Sequence, residues 1–464
     1  MKKFKIEYLI YIFILISPIL DAGSYLLKTY VPQVKISLTM ILRPIIPIIL
    51  LLYIFIKEKK YRKGLILSTL FLLVYGVVHL LISKSLFYGI SYGTLSEELS
   101  YVINYSYNVY LLFIIYYFEK NGYLKKINKY MFLMLIEYLI IIYFSIFTRT
   151  SFTTYVEGMG YRSYFLSGNS ISTILLLLLC NLMGSMNEVS TKDKIAMYFS
   201  WFILGVYLVF LVGTRTGMLG FILLVLLYGG SSLLFKFIKD KKVNFKKLIL
   251  SLSIVLIILL LLSVGGSETL KRRKHIAEEV YIIDVNTNEP GFTTGDTGVI
   301  VWQIKNLELK KDYISEEMKK AYLDLYNYAN RKKIKANDNR YQQLIYHVSL
   351  VKQQKNFLYI LFGNGRSVHY GEMIMEMELL SILFNFGIIG FILYVGPFIY
   401  LIIKNLRKWH FKEINVRLVM NLAGVILAFG LSLVAGYVFF SSTCMLVLAI
   451  IINSLSKGER GEIL

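Results

Sequence analysis

Two arginines in this sequence are placed where they could bind a phosphate carrier. Arg215 lies in the short run Gly-Thr-Arg-Thr-Gly at 213–217, between two apolar segments, and Arg340 lies in a long polar segment. A guanidinium group can hold phosphate oxygens through two parallel hydrogen bonds. The sequence therefore predicts a diphosphate clamp. The plainer interpretation of Arg215 is a side chain that reaches from a helix end to a membrane surface.

Two carboxylates precede an apolar segment that contains Gly-Ile-Ile-Gly at 387–390. They are Glu376 and Glu378. Residues two apart on a helix do not share a face, so we expect only one of them to point at a given site. A carboxylate there could take a proton from an attacking hydroxyl group. Alternatively, both acids only favour the N-terminus of a helix.

Arg366 and His369 follow the run Leu-Phe-Gly-Asn-Gly at 361–365. The Gly-x-Gly spacing has no preceding strand and no βαβ context, which argues against a dinucleotide site. A turn that returns the chain to the membrane is the default interpretation. Arg366 and His369 are then candidate substrate-binding residues at the membrane surface.

A loop rich in glycine, serine and aromatic residues carries Arg162 and Asn169, which lie just before an apolar segment. Free backbone N–H groups at the start of a helix can hold an anion or a sugar. The alternative is an ordinary capped helix start. We include both residues as candidate substrate-binding residues.

These side chains must be positioned by membrane-spanning helices. The chain is 56% hydrophobic, and its apolar residues occur in blocks of the length that crosses about 30 Å of hydrocarbon. The expected fold is all-α: a polytopic transmembrane bundle with about twelve spans. The predicted spans are Tyr8–Leu26, Leu38–Ile56, Leu65–Ile82, Val102–Phe118, Tyr130–Phe147, Ser170–Leu182, Ile195–Val212, Met218–Phe237, Leu248–Val264, Leu379–Ile403, Arg417–Leu433 and Val438–Leu455. The last two come from one long apolar run that we split at Gly436.

The distribution of cations predicts the orientation of the spans. With the N-terminus in the cytoplasm, most Lys and Arg residues of the short loops fall on the cytoplasmic side, as the positive-inside rule requires. Both termini are then cytoplasmic, and Arg215 lies outside. The net charge of +22 belongs to these loops, so we expect no nucleic acid partner. Cys180 and Cys444 lie in apolar blocks and indicate neither a disulfide nor a metal site.

The predicted organisation has three parts: spans 1–9 in residues 1–264, a large extracytoplasmic loop in 265–377, and spans 10–12 in 378–464. Loops of this length are usually functional. Leu307, Tyr313, Met318, Tyr322, Leu325 and Tyr328 recur as on an amphipathic helix, and Thr287–Gly291 has the composition of a turn.

Three further polar residues lie in or near predicted spans. Asp21, Arg43 and His79 would be costly in lipid, so we expect them to face the interior of the bundle or a wet cavity. Asp21 and Arg43 lie at the outer ends of neighbouring spans and could form an ion pair.

The order of these motifs resembles the O-antigen ligase and O-antigen polymerase superfamily of bacterial envelope proteins. Ser-Gly-Asn at 167–169 comes first, then the run at 213–217, then Arg340 and the run at 361–365. A Glu or His position eleven residues before Gly387 completes the pattern, and here it is Glu376. The resemblance covers roughly Tyr155 to Tyr400.

The resemblance implies transfer or polymerisation of glycans carried on a polyprenyl diphosphate. The reaction would take place at the outer face of the bacterial cytoplasmic membrane. Arg215 and Arg340 would bind the donor diphosphate, and Glu376 would act as the base. Many ligases have His-Asn where this chain has Glu376, which favours a polymerase over a ligase. We expect no metal site and no cofactor. A donor and an acceptor glycan, the bilayer, a flippase and a chain-length regulator are the expected partners.

Two other classes remain open from the sequence. Twelve spans would suit a lipid-linked oligosaccharide flippase or another transporter, although related halves are not evident. The chain could also be a non-enzymatic assembly or receptor protein in which the large loop binds a partner. Substitution of Arg215 or Arg340 would distinguish these classes.

Overall fold

A computed structural model gives the chain as an α-helical bundle with one small β-hairpin. The structure describes residues 5–31, 38–84, 95–155, 158–186, 190–240, 296–305, 314–334, 338–366, 373–410, 413–434 and 438–456. It also describes residues 369 and 436 and short pieces between 249 and 274.

In the first half of the chain, the described residues form eight long helices. A single π-helical turn, Tyr207–Leu211, extends the seventh of them, and strands β1 (Phe152–Thr153) and β2 (Tyr161–Ser163) form an antiparallel hairpin before the sixth. The helices are α1 (Tyr8–Tyr30), α2 (Leu38–Lys57), α3 (Lys59–Lys84), α4 (Leu95–Lys120), α5 (Ile127–Phe147), α6 (Gly168–Ser185), α7 (Thr191–Val206) and α8 (Arg215–Asp240).

In the second half, the described residues form four shorter helices, followed by four apolar helices. The helices are α9 (Asp296–Lys305), α10 (Glu316–Lys332), α11 (Asn339–Gln353), α12 (Leu358–Phe362), α13 (Glu378–Tyr394), α14 (Gly396–Leu406), α15 (Val416–Val434) and α16 (Ser442–Ser454).

Eight described segments are long and apolar enough to cross a membrane. They are α1, α3, α5, α6, α7 with its π-turn, α8, α13 joined to α14, and α15. The prediction of a helical multi-pass membrane protein is therefore confirmed. Helices α2, α4 and α16 coincide with predicted spans, and most of the predicted span Leu248–Val264 lies outside the described residues. The count of about twelve spans stays a prediction.

Helix α6 lies at the centre of the bundle. Almost all of its residues are buried, and it packs against α5, α8, α15 and α16. A helix that is apolar on every side belongs in such an interior position. Ser167 accepts a hydrogen bond from the N–H of Ser170 and caps the helix. The helix begins at Gly168, two residues before the predicted start.

A second, smaller apolar cluster joins α9, α10 and α11. Ser315 caps α10, and Met318, Tyr322 and Leu325 are buried on one face of that helix. The predicted amphipathic helix is confirmed from Glu316 onward. Leu307, Tyr313 and the predicted turn Thr287–Gly291 lie outside the described residues. The three-part division at 264 and 377, and the extracytoplasmic position of this region, stay predictions.

Two expectations about the bundle are confirmed. The long apolar run is split into α15 and α16, and Gly436 between them has a φ of 70° and lies against the carbonyl of Glu376. A Cβ there would lie 2.3 Å from that oxygen, so only glycine fits. The ion pair of Arg43 with Asp21 is present, with Nη2 and Oδ1 2.5 Å apart.

Candidate functional site

The turn that carries Arg215 is held rigidly against α6. Gly213 has a φ of 79°, a conformation that glycine adopts at little cost. The Thr214 hydroxyl accepts a hydrogen bond from the N–H of Gly217 at 3.1 Å and caps α8. It also shares a hydrogen bond of 2.8 Å with the Ser172 hydroxyl on α6. These contacts fix the position of the first residue of α8, which is Arg215.

Arg215 itself is exposed, and it makes no hydrogen bond or ion pair with any residue that the structure describes. A guanidinium group at a helix N-terminus, where free N–H groups also point outward, is suited to an anion. The structure therefore leaves Arg215 accessible to a ligand.

Arg162 lies in the β-hairpin and is anchored rather than free. Its two Nη atoms donate to the carbonyl of Leu166 at 2.5 Å and to the Tyr25 hydroxyl on α1 at 2.6 Å. Asn169 lies in the first turn of α6, and its carbonyl accepts from the Thr173 hydroxyl. Arg162 thus ties the hairpin to α1.

The hairpin packs directly on the Arg215 turn. The Thr154 hydroxyl donates to the carbonyl of Val212 at 2.7 Å, and the Tyr207 hydroxyl donates to the carbonyl of Tyr161 at 3.0 Å. A Cβ at Gly160 would lie 2.5 Å from the Val212 oxygen, so the two backbones touch. Arg162, Asn169 and Arg215 are therefore brought to one end of the bundle, which we call the Arg215 side.

A cation that we did not single out from the sequence joins the Arg215 side. The guanidinium carbon of Arg272 lies 3.4 Å from the centre of the Tyr155 ring, in a cation–π contact. Its neighbour Glu268 accepts a hydrogen bond from the N–H of Gly160 at 3.2 Å. The basic run 271–274 is the sequence signal, but it lies in a segment predicted to be a long loop, where cations carry little information about orientation.

The other two predicted catalytic residues are in direct contact. Nε of Arg340 donates to Oε2 of Glu376 at 3.0 Å, and the two side chains are 44% and 45% exposed. The backbone N–H of Glu376 donates to the side-chain oxygen of Gln343 at 2.9 Å, one turn along α11 from Arg340. We call this place, with Arg366, His369 and Glu378, the Glu376 side.

Glu378 is buried, in contrast to Glu376. Its carboxylate accepts hydrogen bonds from the N–H groups of Val438 at 2.7 Å, of Phe439 at 2.8 Å, and of Phe440. All three donors belong to the segment before α16. The two acids therefore face different surroundings, as their spacing predicts. Glu378 fixes this segment against α13.

The run at 361–365 packs on a break in helix α13. Gly387 has a φ of 69° inside that helix, which frees the carbonyls of the preceding turn. The N–H of Asn364 donates to the carbonyl of Phe384 at 3.1 Å, and that of Gly365 donates to Asn385 at 2.9 Å. A Cβ at Gly363 would lie 2.1 Å from the Asn385 oxygen. Gly363 and Gly387 thus both allow the backbone of the run at 361–365 to lie directly against the backbone of α13.

A buried pair that sequence reasoning missed supports the same run. Nδ1 of His79 donates to the carbonyl of Phe362 at 2.6 Å, and its Nε2 lies 2.8 Å from Oε1 of Glu98. The second oxygen of Glu98 accepts from the N–H of Arg366 at 2.8 Å. His79 faces the interior, as predicted. Glu98 gave no signal, because an acid in the first turn of a helix is common.

Arg366 lies in an aromatic setting near the N-terminal half of α4. Its guanidinium group is 4.7 Å from the ring centre of Tyr101 and 5.3 Å from that of Phe440, and it donates to the Tyr105 hydroxyl at 3.2 Å. Stacked arginines are held in a fixed orientation. Arg366 therefore links α4 to the segment that Glu378 holds.

His369 is buried, and its Nε2 lies 3.1 Å from the side-chain oxygen of Asn385. The ring of His347 lies 4.4 Å away and donates from Nε2 to the carbonyl of Met373. Burial lowers the pKa of His369 to about 4, and burial together with His369 lowers the pKa of His347. Both rings are therefore neutral near pH 7.

The predicted residues thus form two groups. Arg340 and Glu376 are in contact, and Arg366, His369 and Glu378 surround the segments beside them. No hydrogen bond or ion pair among the described residues joins Arg215 to Arg340 or Glu376. Within the same described part of the chain, no cluster of three His, Cys, Asp or Glu side chains could hold a metal ion.

Comparison with known proteins extends the resemblance that the motifs carry. No curated protein and no solved structure matches the chain significantly. The family model described as O-antigen ligase like membrane protein matches residues 3–456, a longer stretch than the motifs alone cover. The chain therefore belongs to the O-antigen ligase-like family of membrane proteins.

Proposed function

We propose that the chain polymerises lipid-linked oligosaccharide repeat units. Its family consists of membrane enzymes of surface polysaccharide assembly that act on lipid-linked glycans. The observation that carries the finer proposal is the Arg340–Glu376 ion pair, in which a diphosphate-binding cation and a base lie 3.0 Å apart and half exposed. The reaction would take place on the outer face of the bacterial cytoplasmic membrane, with both termini in the cytoplasm.

The chemistry needs a cation on the leaving group and a base on the acceptor. The acceptor hydroxyl oxygen attacks the anomeric carbon of the donor glycan, and the bond from that carbon to the diphosphate oxygen breaks. The electron pair leaves with the polyprenyl diphosphate, whose charge Arg215 and Arg340 neutralise. The hydroxyl proton passes to Glu376.

The ion pair supports one order for these events. While no donor is bound, Arg340 and Glu376 neutralise each other. A diphosphate carries more negative charge than a carboxylate and competes for the guanidinium group. Binding of the donor therefore releases Glu376 next to the reacting centre, which makes the base available only when a donor is in place.

The support for Arg215 is its accessibility. It begins α8, and the described residues offer it no hydrogen-bond partner. Arg162 is held by the Tyr25 hydroxyl and would position the β-hairpin beside the donor. The side-chain amide of Asn169 would form a hydrogen bond with the sugar of the donor. A flippase that delivers repeat units and a chain-length regulator are the expected protein partners.

The test is substitution of Arg215 and, separately, of Arg340 by Ala, with Arg149→Ala as an exposed control in an outer loop. Protein levels, polymer and lipid-linked intermediates are measured. A polymerase loses polymer and accumulates single repeat units on the outer leaflet.

The other functions give different results. A ligase variant still makes lipid-linked polymer but does not transfer it to a second acceptor. A flippase variant leaves the repeat units on the inner leaflet. A non-enzymatic assembly protein shows neither change, and normal polymer in both variants would refute the proposal.

A further inference from the structure

A long apolar groove runs along α2, between α3 and α4, and has a volume of about 990 Å³. Its lining extends from Phe55 and Leu65 at one end to Thr39 and Ser96 at the other. Helix α2 rises roughly 24 Å between Thr39 and Phe55, close to the roughly 30 Å thickness of the hydrocarbon core. The groove therefore extends over most of the thickness of the hydrocarbon core.

The lining of this groove includes two hydrogen-bond donors that have no partner in the described structure. Arg43 and Tyr107 both line it. Nη2 of Arg43 is engaged by Asp21 and by Thr443, but its Nε is buried and has no partner within the described structure. The same holds for the Tyr107 hydroxyl. Arg43 is 8% exposed. Buried donors without acceptors are costly, so these two groups indicate a site for an acceptor atom.

The polar part of the groove lining adjoins the Glu376 side. Ser442 and Asn104 both line the groove, and the Ser442 hydroxyl donates to the Asn104 side-chain oxygen at 3.2 Å. The Asn104 amide donates to the carbonyl of Phe440 at 2.8 Å. The N–H of Phe440 in turn donates to Glu378, two residues from Glu376. A head group in the groove therefore lies beside the elements that hold the proposed base.

We propose that this groove holds the polyprenyl chain of the lipid-linked acceptor. Arg43 Nε and the Tyr107 hydroxyl donate to the oxygens of its first phosphate, and its glycan extends towards Glu376. The inference rests on the proposed function. An acceptor position is favoured because Glu376 acts on the acceptor hydroxyl, and the hydrogen bonds from Asn104 through Phe440 lead to Glu378, two residues from that base.

The test uses the purified full-length protein in detergent, with undecaprenyl phosphate as the probe. Val77 lines the groove and is 57% exposed, whereas Val74 on the same helix is 60% exposed and does not line it. Val77→Trp fills the groove, and Val74→Trp is its matched control. We expect the Kd to rise at least about tenfold in the first variant only, since bound chain and indole overlap.

A second matched pair guards against misfolding of one variant. Leu70 lines the groove and Leu67 does not, and both are exposed residues of α3. Leu70→Trp should reproduce the loss, and Leu67→Trp should bind as the wild type. Tyr107→Phe should weaken binding about fivefold, the effect of one hydrogen bond.

The outcomes separate this inference from the proposed function. Unchanged binding in Val77→Trp and Leu70→Trp would refute the proposed lipid site in the groove. Loss of polymer in Arg215→Ala would still support the polymerase function in that case. Equal competition by phosphatidylglycerol also overturns the proposed lipid site, because the groove would then take any anionic lipid. Selective loss in both groove variants, with undecaprenyl phosphate still bound by Arg215→Ala, supports a lipid position separate from the donor clamp.

Discussion

Nε of Arg340 lies 3.0 Å from Oε2 of Glu376, across a gap of 36 residues in the chain. The two side chains are equally exposed, so the pair can be opened by a ligand without disturbing the core. An exposed ion pair contributes only about 0–1 kcal/mol to stability. The role that we propose for this ion pair is therefore in the reaction and not in stability.

Glu376→Gln should abolish polymer formation and retain donor binding. Loss of a general base lowers the rate by about 10²- to 10⁴-fold, while the freed Arg340 binds the diphosphate at least as tightly as before. Turnover and donor affinity are measured separately. Glu316→Gln, which removes the comparable ion pair of Glu316 with Lys319 on α10, should leave both unchanged. Normal chain growth in Glu376→Gln would exclude this residue as the base.

Arg215→Lys should reduce polymer formation by about tenfold or more, even though the charge is retained. Lysine cannot form the two parallel hydrogen bonds of a guanidinium group, and each charge-assisted bond contributes about 1.5–3 kcal/mol. Polymer yield per amount of protein is the measurement, with Arg149→Lys as the control. Wild-type yield from the Arg215→Lys variant would argue against a clamp with two hydrogen bonds.

Gly363→Ala should destabilise the protein by several kcal/mol. The new Cβ would lie 2.1 Å from the Asn385 oxygen, and the φ of 84° disfavours any other residue. Gly230→Ala on α8 is the control, since its Cβ meets nothing within 4 Å, and helical alanine is favoured by up to about 1 kcal/mol. Thermal unfolding of both variants is compared. Equal stability would mean that the two motifs are not in contact.

Stability should fall as the pH is lowered from 7 to 5. Burial holds the pKa of His369 at about 4, below the usual 6.5, so the unfolded chain binds more protons between these values. The stabilisation is present above pH 6.5 and is lost as the pH falls towards 4. By pH 5 the loss from this group is about 2 kcal/mol.

The measurement is the thermal unfolding temperature as a function of pH. His369→Asn should reduce the slope of the profile without removing it, because the buried His347 still resists protonation. The exposed His410→Asn is the control. A wild-type profile that is flat between pH 7 and 5 would contradict the burial of this ring.

The positions of the membrane helices could be predicted from the sequence because hydrocarbon imposes a length and a composition. The split of the last apolar run at Gly436 followed from the same length argument. Arg43 and Asp21 could be paired because charges in apolar helices need partners. These predictions used only local pattern and the properties of the bilayer.

The contacts within the site could not be predicted in this way. Glu378 receives its three hydrogen bonds from residues 60 to 62 positions later, and Glu98 meets Arg366 across 268 positions. The sequence around Glu378 and around Glu98 does not indicate which distant residues they contact. The break at Gly387 also has no local signal, since glycine is frequent in membrane helices. Such pairings depend on how the helices pack.

Helix α6 is enclosed by protein, and two of its neighbours, α15 and α16, come more than 200 residues later in the chain. During synthesis, α6 must therefore enter the bilayer before much of its final surroundings exists. Its side chains then exchange lipid for protein when the C-terminal helices arrive. The last two helices thus complete the assembly, and a chain that ends before Val416 would leave the middle of the bundle facing lipid.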